Sequence, residues 1–294
     1  MRWKKVTLVG VGLLGGSLGM ALRHRRLAGS VIGFVRRAAS VIECKRLGAV
    51  DLATRDLRTA VQGAELIILC TPIAQMRPLV EEMLPTLKPG AIITDVGSVK
   101  GSVVRELEPL VKKVGAHFIG SHPMAGAERM GVAAARADLF TNAVCVITPT
   151  RNSSPAAVRK VASLWKSVGS RVIRLKPDPH DELVGRSSHL PHLVAATLAN
   201  LVLDPAWPAD QAALCANGFR DTTRVASGSP EMWRDITLAN ATHLRKALSL
   251  FVRDLQKVRR LMATGDPVLI QRFLTQAKSR RDRWQGHGAR TSPE

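Results

Sequence analysis

Through the first 175 residues, short apolar runs rich in Val and Ile alternate with stretches in which apolar side chains return every third or fourth position. The short runs read as buried strands and the periodic stretches as helices. Strands are predicted at Val6–Val9, Ser30–Val35, Glu65–Cys70, Ala91–Asp95, His117–Gly120 and Ala143–Thr148, with Arg171–Leu175 as a last, antiparallel or edge strand. Helices are predicted after Gly15, at Val41–Leu47, Leu57–Val61 and Gln75–Leu84, from Lys100 to Val111, and at Ser154–Val168. This alternation predicts a doubly wound, mostly parallel sheet with right-handed crossovers. Beyond Leu175 the strand pattern stops. Asp178–Leu203, Asp210–Asn217, Asp221–Ser227, Pro230–Leu261 and Val268–Lys278 all carry helical periodicity, and Ser279–Glu294 reads as a frayed tail.

The chain therefore divides at Pro177 and Pro179: residues 1–175 are expected to form an α/β, Rossmann-like dinucleotide-binding domain and 176–294 an all-α domain. The length of 294 residues suits two cores, and an apolar fraction of 46% is enough to fill them. No apolar stretch reaches the ~18 residues that would span a bilayer. The first strand begins so early that no signal peptide fits before it, so a cytoplasmic location is expected. Cys44, Cys70, Cys145 and Cys215 are far apart in sequence and sit among apolar neighbours, which reads as core packing, with neither disulfides nor a metal site expected. A net charge of +20 favours anionic ligands. Its basic residues are spread over helices without any nucleic-acid-binding signature, which reads as a solvated face and no specific nucleic-acid partner.

Gly10, Gly12 and Gly15 form G-x-G-x-x-G between the first strand and the first helix. Gly10 permits the tight turn, Gly12 lets a pyrophosphate approach the backbone, and Gly15 lets the helix pack closely on its strand. Gly16, Ser17 and Gly19 extend that close approach. With Leu13 and Leu14 completing the turn, the phosphates would meet the free N–H groups at the helix start. The second strand ends Val35-Arg36-Arg37 where an NAD-selective fold usually carries an acid, so NADP is favoured, with NAD possible. Ligands in such sheets bind beyond the strand carboxyl ends. Gly10–Gly15, Thr71-Pro72, Gly97-Ser98 and His122-Pro123 should thus converge on one crevice.

Within that crevice His122, in a small-residue loop after the fifth strand, is suited to take a proton from a substrate hydroxyl near neutral pH. Ser98 can orient His122 or the substrate hydroxyl, and it can also cap the following helix. His189 and His192 share a helix face, but two histidines beside Pro191 make a poor metal site. Arg224 is suited to hold a carboxylate through its guanidinium fork, with Asp221 one turn earlier fixing its rotamer; a surface ion pair reads the same.

Together these stretches resemble the prephenate/arogenate dehydrogenase family of tyrosine biosynthesis. The resemblance is carried by G-V-G-L-L-G-G-S-L-G from Gly10, D-V-G-S-V-K from Asp95, S-H-P-M-A-G-A-E from Ser121, S-H-L-P-H from Ser188, G-F-R-D-T-T-R from Gly218 and P-E-M-W-R-D from Pro230. It implies a helical half that forms an intertwined homodimer, and oxidative decarboxylation of a cyclohexadienol bearing a ring carboxylate. It further implies that His122 bonds the ring hydroxyl with support from Ser98, that Arg224 binds a carboxylate, and that His192, Glu128 and Trp233 line or gate the pocket. Two features depart from the commoner pattern: Arg36 and Arg37 replace the acid, and the chain leaves no room for a regulatory domain or a fused mutase, so a monofunctional enzyme is expected. The rival readings are a two-domain dehydrogenase of the β-hydroxyacid type, which normally uses a helical lysine where this chain offers His189 and His192, and a non-catalytic NADP-sensing or nucleic-acid-binding protein.

Overall fold

The apolar runs pair into a sheet of eight strands in a computed structural model that describes residues 2–126, 130–208 and 210–284. In chain order the first half consists of β1 (Trp3–Val9), α1 (Leu13–His24), β2 (Ala28–Phe34), α2 (Ala38–Arg46), β3 (Leu52–Thr54), α3 (Leu57–Val61), β4 (Leu66–Leu69), α4 (Ile73–Met83), β5 (Ile92–Asp95), α5 (Gly101–Lys112), β6 (His117–Pro123), β7 (Val144–Thr148), α6 (Pro155–Ser167) and β8 (Arg171–Arg174). The strands lie in the order β3-β2-β1-β4-β5-β6-β7-β8. The order reverses between β1 and β4, so the two strand ends that flank the reversal, at Gly10 and Thr71, open a crevice between diverging connections.

Both faces of the sheet are covered, and β4 shows why its run is continuously apolar. Leu66 and Ile68 enter the core that includes Leu18 of α1 and Trp165 of α6, while Ile67 and Leu69 enter the core that includes Met76 of α4 and Leu107 of α5. Side chains alternate between faces, so a strand buried on both sides can spare no polar position.

The sheet departs from the sequence reading in three places. β3 escaped notice because three residues are too few to show a period. The antiparallel pairing falls between β6 and β7, not at the last strand; β8 is an edge strand, but it runs parallel to β7. His122 also lies inside β6, opposite Val146, instead of in a loop after it. β6 changes partners part-way, with His117–Ile119 pairing β5 and Gly120–Pro123 pairing β7, so the strand continues past the point where β5 ends.

The second half consists of α7 (Pro177–Val184), a π-helical turn at Gly185–His189, α8 (Leu190–Val202), α9 (Asp210–Ala213), α10 (Asn217–Thr223), a 3₁₀ turn at Arg224–Ser227, α11 (Pro230–Ala239), α12 (Ala241–Ala263) and α13 (Pro267–Arg283). The π turn falls just before Pro191, which has no N–H to continue the ordinary ladder. The single helix expected from Pro230 to Leu261 breaks at Asn240. Its buried amide is committed to tertiary hydrogen bonds with the Asp181 carbonyl and His189 Nδ1. α13 runs on to Arg283, so the frayed tail expected from Ser279 is helical at its start; residues 285–294 lie outside the described residues. α12 and α13 leave Leu248, Leu255, Met262, Phe273 and Leu274 exposed. Among the described residues no helix is long and apolar enough to cross a membrane.

Candidate active site

The glycine turn is shaped by contacts that tolerate no side chain. Gly10 has φ +97°, and a Cβ on Gly15 would lie 2.1 Å from the Gly10 carbonyl oxygen. A Cβ on Gly19 would lie 2.0 Å from the carbonyl oxygen of Ala49, so α1 is pinned along its whole first half. At Gly12, by contrast, a Cβ would meet nothing within 4 Å. Space therefore opens where a phosphate would lie, in front of a helix whose N-terminus has neither a side-chain cap nor an acid in its first turn. Leu13 is buried in the first turn of α1, with Leu14 partly buried behind it. Thr71, beside Gly10, holds a buried hydroxyl with no protein partner, and Pro72 opens α4. This open cradle and unmatched hydroxyl fit a dinucleotide. Arg36 and Arg37 stand exposed after β2, and Arg55, which the sequence analysis passed over, joins them by donating from Nε to the Arg36 carbonyl at 3.1 Å.

Because β1, β4, β5 and β6 are consecutive in the sheet, their carboxyl ends lie side by side, as expected. His122 occupies the β6 end and keeps 8% of its surface accessible. Its Nδ1 meets Nε2 of His180 at 2.9 Å, and His180 Nδ1 meets Oδ1 of Asp181 at 2.8 Å. The two rings stand nearly perpendicular, with centroids 5.1 Å apart. His122 Nε2 makes no hydrogen bond among the described residues and is not sealed off from solvent. Burial, followed by the neighbouring His180, Lys100 and His189, pushes the His122 pKa well below the ordinary histidine value. The ring is therefore neutral and able to accept a proton.

Ser98 does not hold His122; it sits half-buried in the β5–α5 connection and makes no side-chain hydrogen bond among the described residues. Nor does it cap α5. The Asp181 carboxylate does so from the other domain, accepting from the N–H groups of Lys100 and Gly101, each at 2.7 Å. A carboxylate receiving two backbone donors leaves a serine hydroxyl nothing to add. Beneath His122, the fully buried Lys100 ammonium pairs with Asp95 and donates to the Ser121 carbonyl at 2.9 Å.

On the helical side His192 stacks on Trp233, with centroids 3.5 Å apart and planes 9° from parallel, and His189 meets the same indole edge-on. Gly228 is wedged against this pair, since a Cβ there would lie 2.6 Å from Trp233 Nε1. His192 Nδ1 and His189 Nε2 are buried without protein partners, and burial drives the His189 pKa down to about 4 and lowers that of His192. Arg224 lies in the turn after α10, which packs on α8 beside this group. Asp221, one turn earlier, faces Arg220 at 3.6 Å. Glu128 lies outside the described residues. Among the described residues no cluster of three or more His, Cys, Asp or Glu could hold a metal ion.

Sequence reasoning missed His180, Asp181, Lys100, Asp95 and Asn240. Asp95 and Lys100 carried a signal, being charges at the end of a buried strand and before an apolar helix. The His180-Asp181 pair follows Pro177 and Pro179, whose sequence signal is that of a domain boundary.

Comparison with known proteins identifies relatives along the whole of this two-part architecture. Residues 18–174 match the family model of the prephenate dehydrogenase nucleotide-binding domain, and 176–276 that of the prephenate dehydrogenase dimerization domain. The chain is 32% identical over 280 residues to prephenate dehydrogenase of Bacillus subtilis, covering 94% of this chain and 75% of that one. It is 33% identical over 282 residues to cyclohexadienyl dehydrogenase of Zymomonas mobilis, covering 95% of each. The crystal structure of Aquifex aeolicus prephenate dehydrogenase in complex with hydroxyphenyl propionate and NAD+ superimposes with a TM-score of 0.89 at 31% identity, covering 96% of this chain and 98% of that one.

Proposed function

The chain belongs to the prephenate dehydrogenase family, and from that premise we propose that it catalyses the oxidative decarboxylation of prephenate, arogenate or both in tyrosine biosynthesis, with His122 as its base. The observation that carries this reading is the geometry of His122, with Nδ1 occupied and Nε2 open at the carboxyl end of β6, in a setting whose burial favours the neutral ring. When bound, the nicotinamide accepts the hydride that leaves the ring carbon bearing the hydroxyl. His122 Nε2 takes the hydroxyl proton as that carbon becomes a carbonyl. The bond from the ring to its carboxylate then breaks, CO₂ departs, and the electron pair passes through the ring to the oxygen. His122 returns the proton there to give the phenol, so no proton is released overall. A positioned base of this kind contributes ~10²–10⁴-fold, and holding the reacting groups in place supplies much of the rest.

Gly10, Gly12, Leu13, Leu14 and Gly15 would hold the pyrophosphate, with Thr71 and Pro72 along its flank. Arg36 and Arg37, together with Arg55, favour a 2′-phosphate and hence NADP over NAD, because no acid stands at the end of β2 to bind a free ribose hydroxyl. In this reading Arg224 binds a substrate carboxylate through its fork, His192 and Trp233 form one wall of the pocket, and Ser98 contributes its hydroxyl toward that of the substrate. The exposed apolar side chains of α12 and α13 are those of a homodimer built through residues 176–294. An assay of the purified protein with prephenate and with arogenate, each with NAD+ and NADP+, tests the reading. Reduction of NADP+ by at least one substrate is expected, and no reduction in any of the four combinations removes it.

A further inference from the structure

His122 and His180 belong to different domains, yet their rings share a hydrogen bond, and the direction of that bond decides which nitrogen of His122 can act as a base. The bond can be oriented from Asp181. Its carboxylate oxygens accept from the N–H groups of Lys100 and Gly101, so it is anchored as an acceptor at the start of α5, and it also accepts from His180 Nδ1. The helix start already stabilises that charge. His180 is fully buried, with its Nδ1 against the Asp181 carboxylate and its Nε2 against the His122 ring. With its one proton on Nδ1, His180 presents a lone pair at Nε2. Among the described residues the group that donates there is Nδ1–H of His122, and this leaves the lone pair of His122 on Nε2, the open nitrogen.

We propose that His180 is a positioning residue that, backed by Asp181, sets the tautomer and ring orientation of the catalytic His122. The proposal rests on the reading of His122 as the base. When His122 takes the substrate proton, its Nδ1–H bond to His180 becomes charge-assisted. The His180 Nδ1–H bond to Asp181 strengthens with it, so the imidazolium is stabilised from the far domain without any further proton moving. Gly101 is part of the device, because a Cβ there would lie 2.8 Å from Asp181 Oδ2 and would push α7 off the start of α5. Asn240, donating to the Asp181 carbonyl at 2.9 Å, ties the same residue to α12. The base is thus correctly aligned only when the two domains are seated on each other.

Two side chains separate this role from a merely structural one. His180→Gln retains an acceptor near the position of Nε2, whereas His180→Asn does not reach His122. His180→Asn is expected to lower kcat by roughly 10–100-fold, part of the ~10²–10⁴-fold of a positioned base, with substrate KM and cofactor Kd little changed, and His180→Gln to recover most of that loss. Equal kcat for the two variants, or a loss confined to KM or thermal stability, overturns the proposal. Long-range ¹H–¹⁵N spectra of the histidine-labelled wild-type protein near pH 7 provide a readout that needs no active variant. A proton on Nδ1 and none on Nε2 is expected for both rings, whereas a proton on His122 Nε2 or a doubly protonated His180 overturns the proposal. His122→Asn is assayed alongside. If it retains turnover, the reading of His122 as the base fails; if it is inactive while His180→Asn is unaffected, the role of His180 alone fails.

Discussion

Lys100 and Asp95 form an ion pair with no surface exposed to solvent, and the same ammonium holds the carbonyl of Ser121, the residue before His122. A fully buried pair is stabilising only while both partners are present, since removing one strands the other's charge in the interior. Lys100→Met is therefore expected to destabilise the protein by roughly 3–5 kcal/mol, and the double variant Lys100→Met/Asp95→Leu by less than the two single changes added together. Urea unfolding of the four proteins measures both quantities.

Arg224→Ala tests the carboxylate contact. Losing a charge-assisted hydrogen bond costs about 1.5–3 kcal/mol, so substrate KM should rise roughly 10–150-fold with a smaller change in kcat. An unchanged KM in steady-state kinetics would remove Arg224 from the substrate site.

At the end of β2 the role in cofactor choice proposed for Arg36, Arg37 and Arg55 is open to a direct substitution. Arg36→Asp places an acceptor where a free ribose hydroxyl would lie and a like charge against a 2′-phosphate. Titration of both cofactors against the variant should show NADP+ weakened by roughly tenfold or more and NAD+ improved. Parallel changes for the two cofactors would contradict this assignment.

Stability should fall as the solution is acidified. His189 is neutral in the fold, with a pKa of about 4 set mainly by burial, whereas in the unfolded chain it takes up a proton below about 6.5. The unfolded state binds more protons in that window, so the contribution is fully present above about 6.5 and is lost on the way down to about 4, on the order of 3 kcal/mol in all. His122 and His192, shifted in the same direction, steepen the slope. His189→Asn, which keeps an acceptor for the Asn240 amide, should flatten the dependence of the urea midpoint on pH. An unchanged slope would show that His189 is not buried neutral.

The legible parts of this molecule are those whose cause is local. Gly10 and Gly15 announced a turn because a side chain at either is excluded by the backbone there, with Gly12 leaving the space in front open, and Leu66–Leu69 announced a doubly covered strand because every position is apolar. The π turn at Gly185–His189 and the break at Asn240 were invisible because helical periodicity runs through both; what forces them is Pro191 in one case and the Asp181 carbonyl in the other. His122 was found from its neighbours, but its partner was not. His180 lies 58 residues away on another domain, and nothing in the spacing of either histidine marks the pairing. Ser98 was assigned the orienting role because it stood on the adjacent strand end, and the cap it was offered is filled by Asp181.

Single-turnover reduction of NADP+ by prephenate or arogenate, followed side by side for the wild-type protein and His122→Asn at saturating cofactor, is the most direct test. The wild type should convert the better substrate with one CO₂ released per hydride transferred. The variant should bind cofactor with nearly unchanged affinity and turn over ~10²–10⁴-fold more slowly. Turnover by the variant within a few-fold of wild type would contradict the mechanism at its centre.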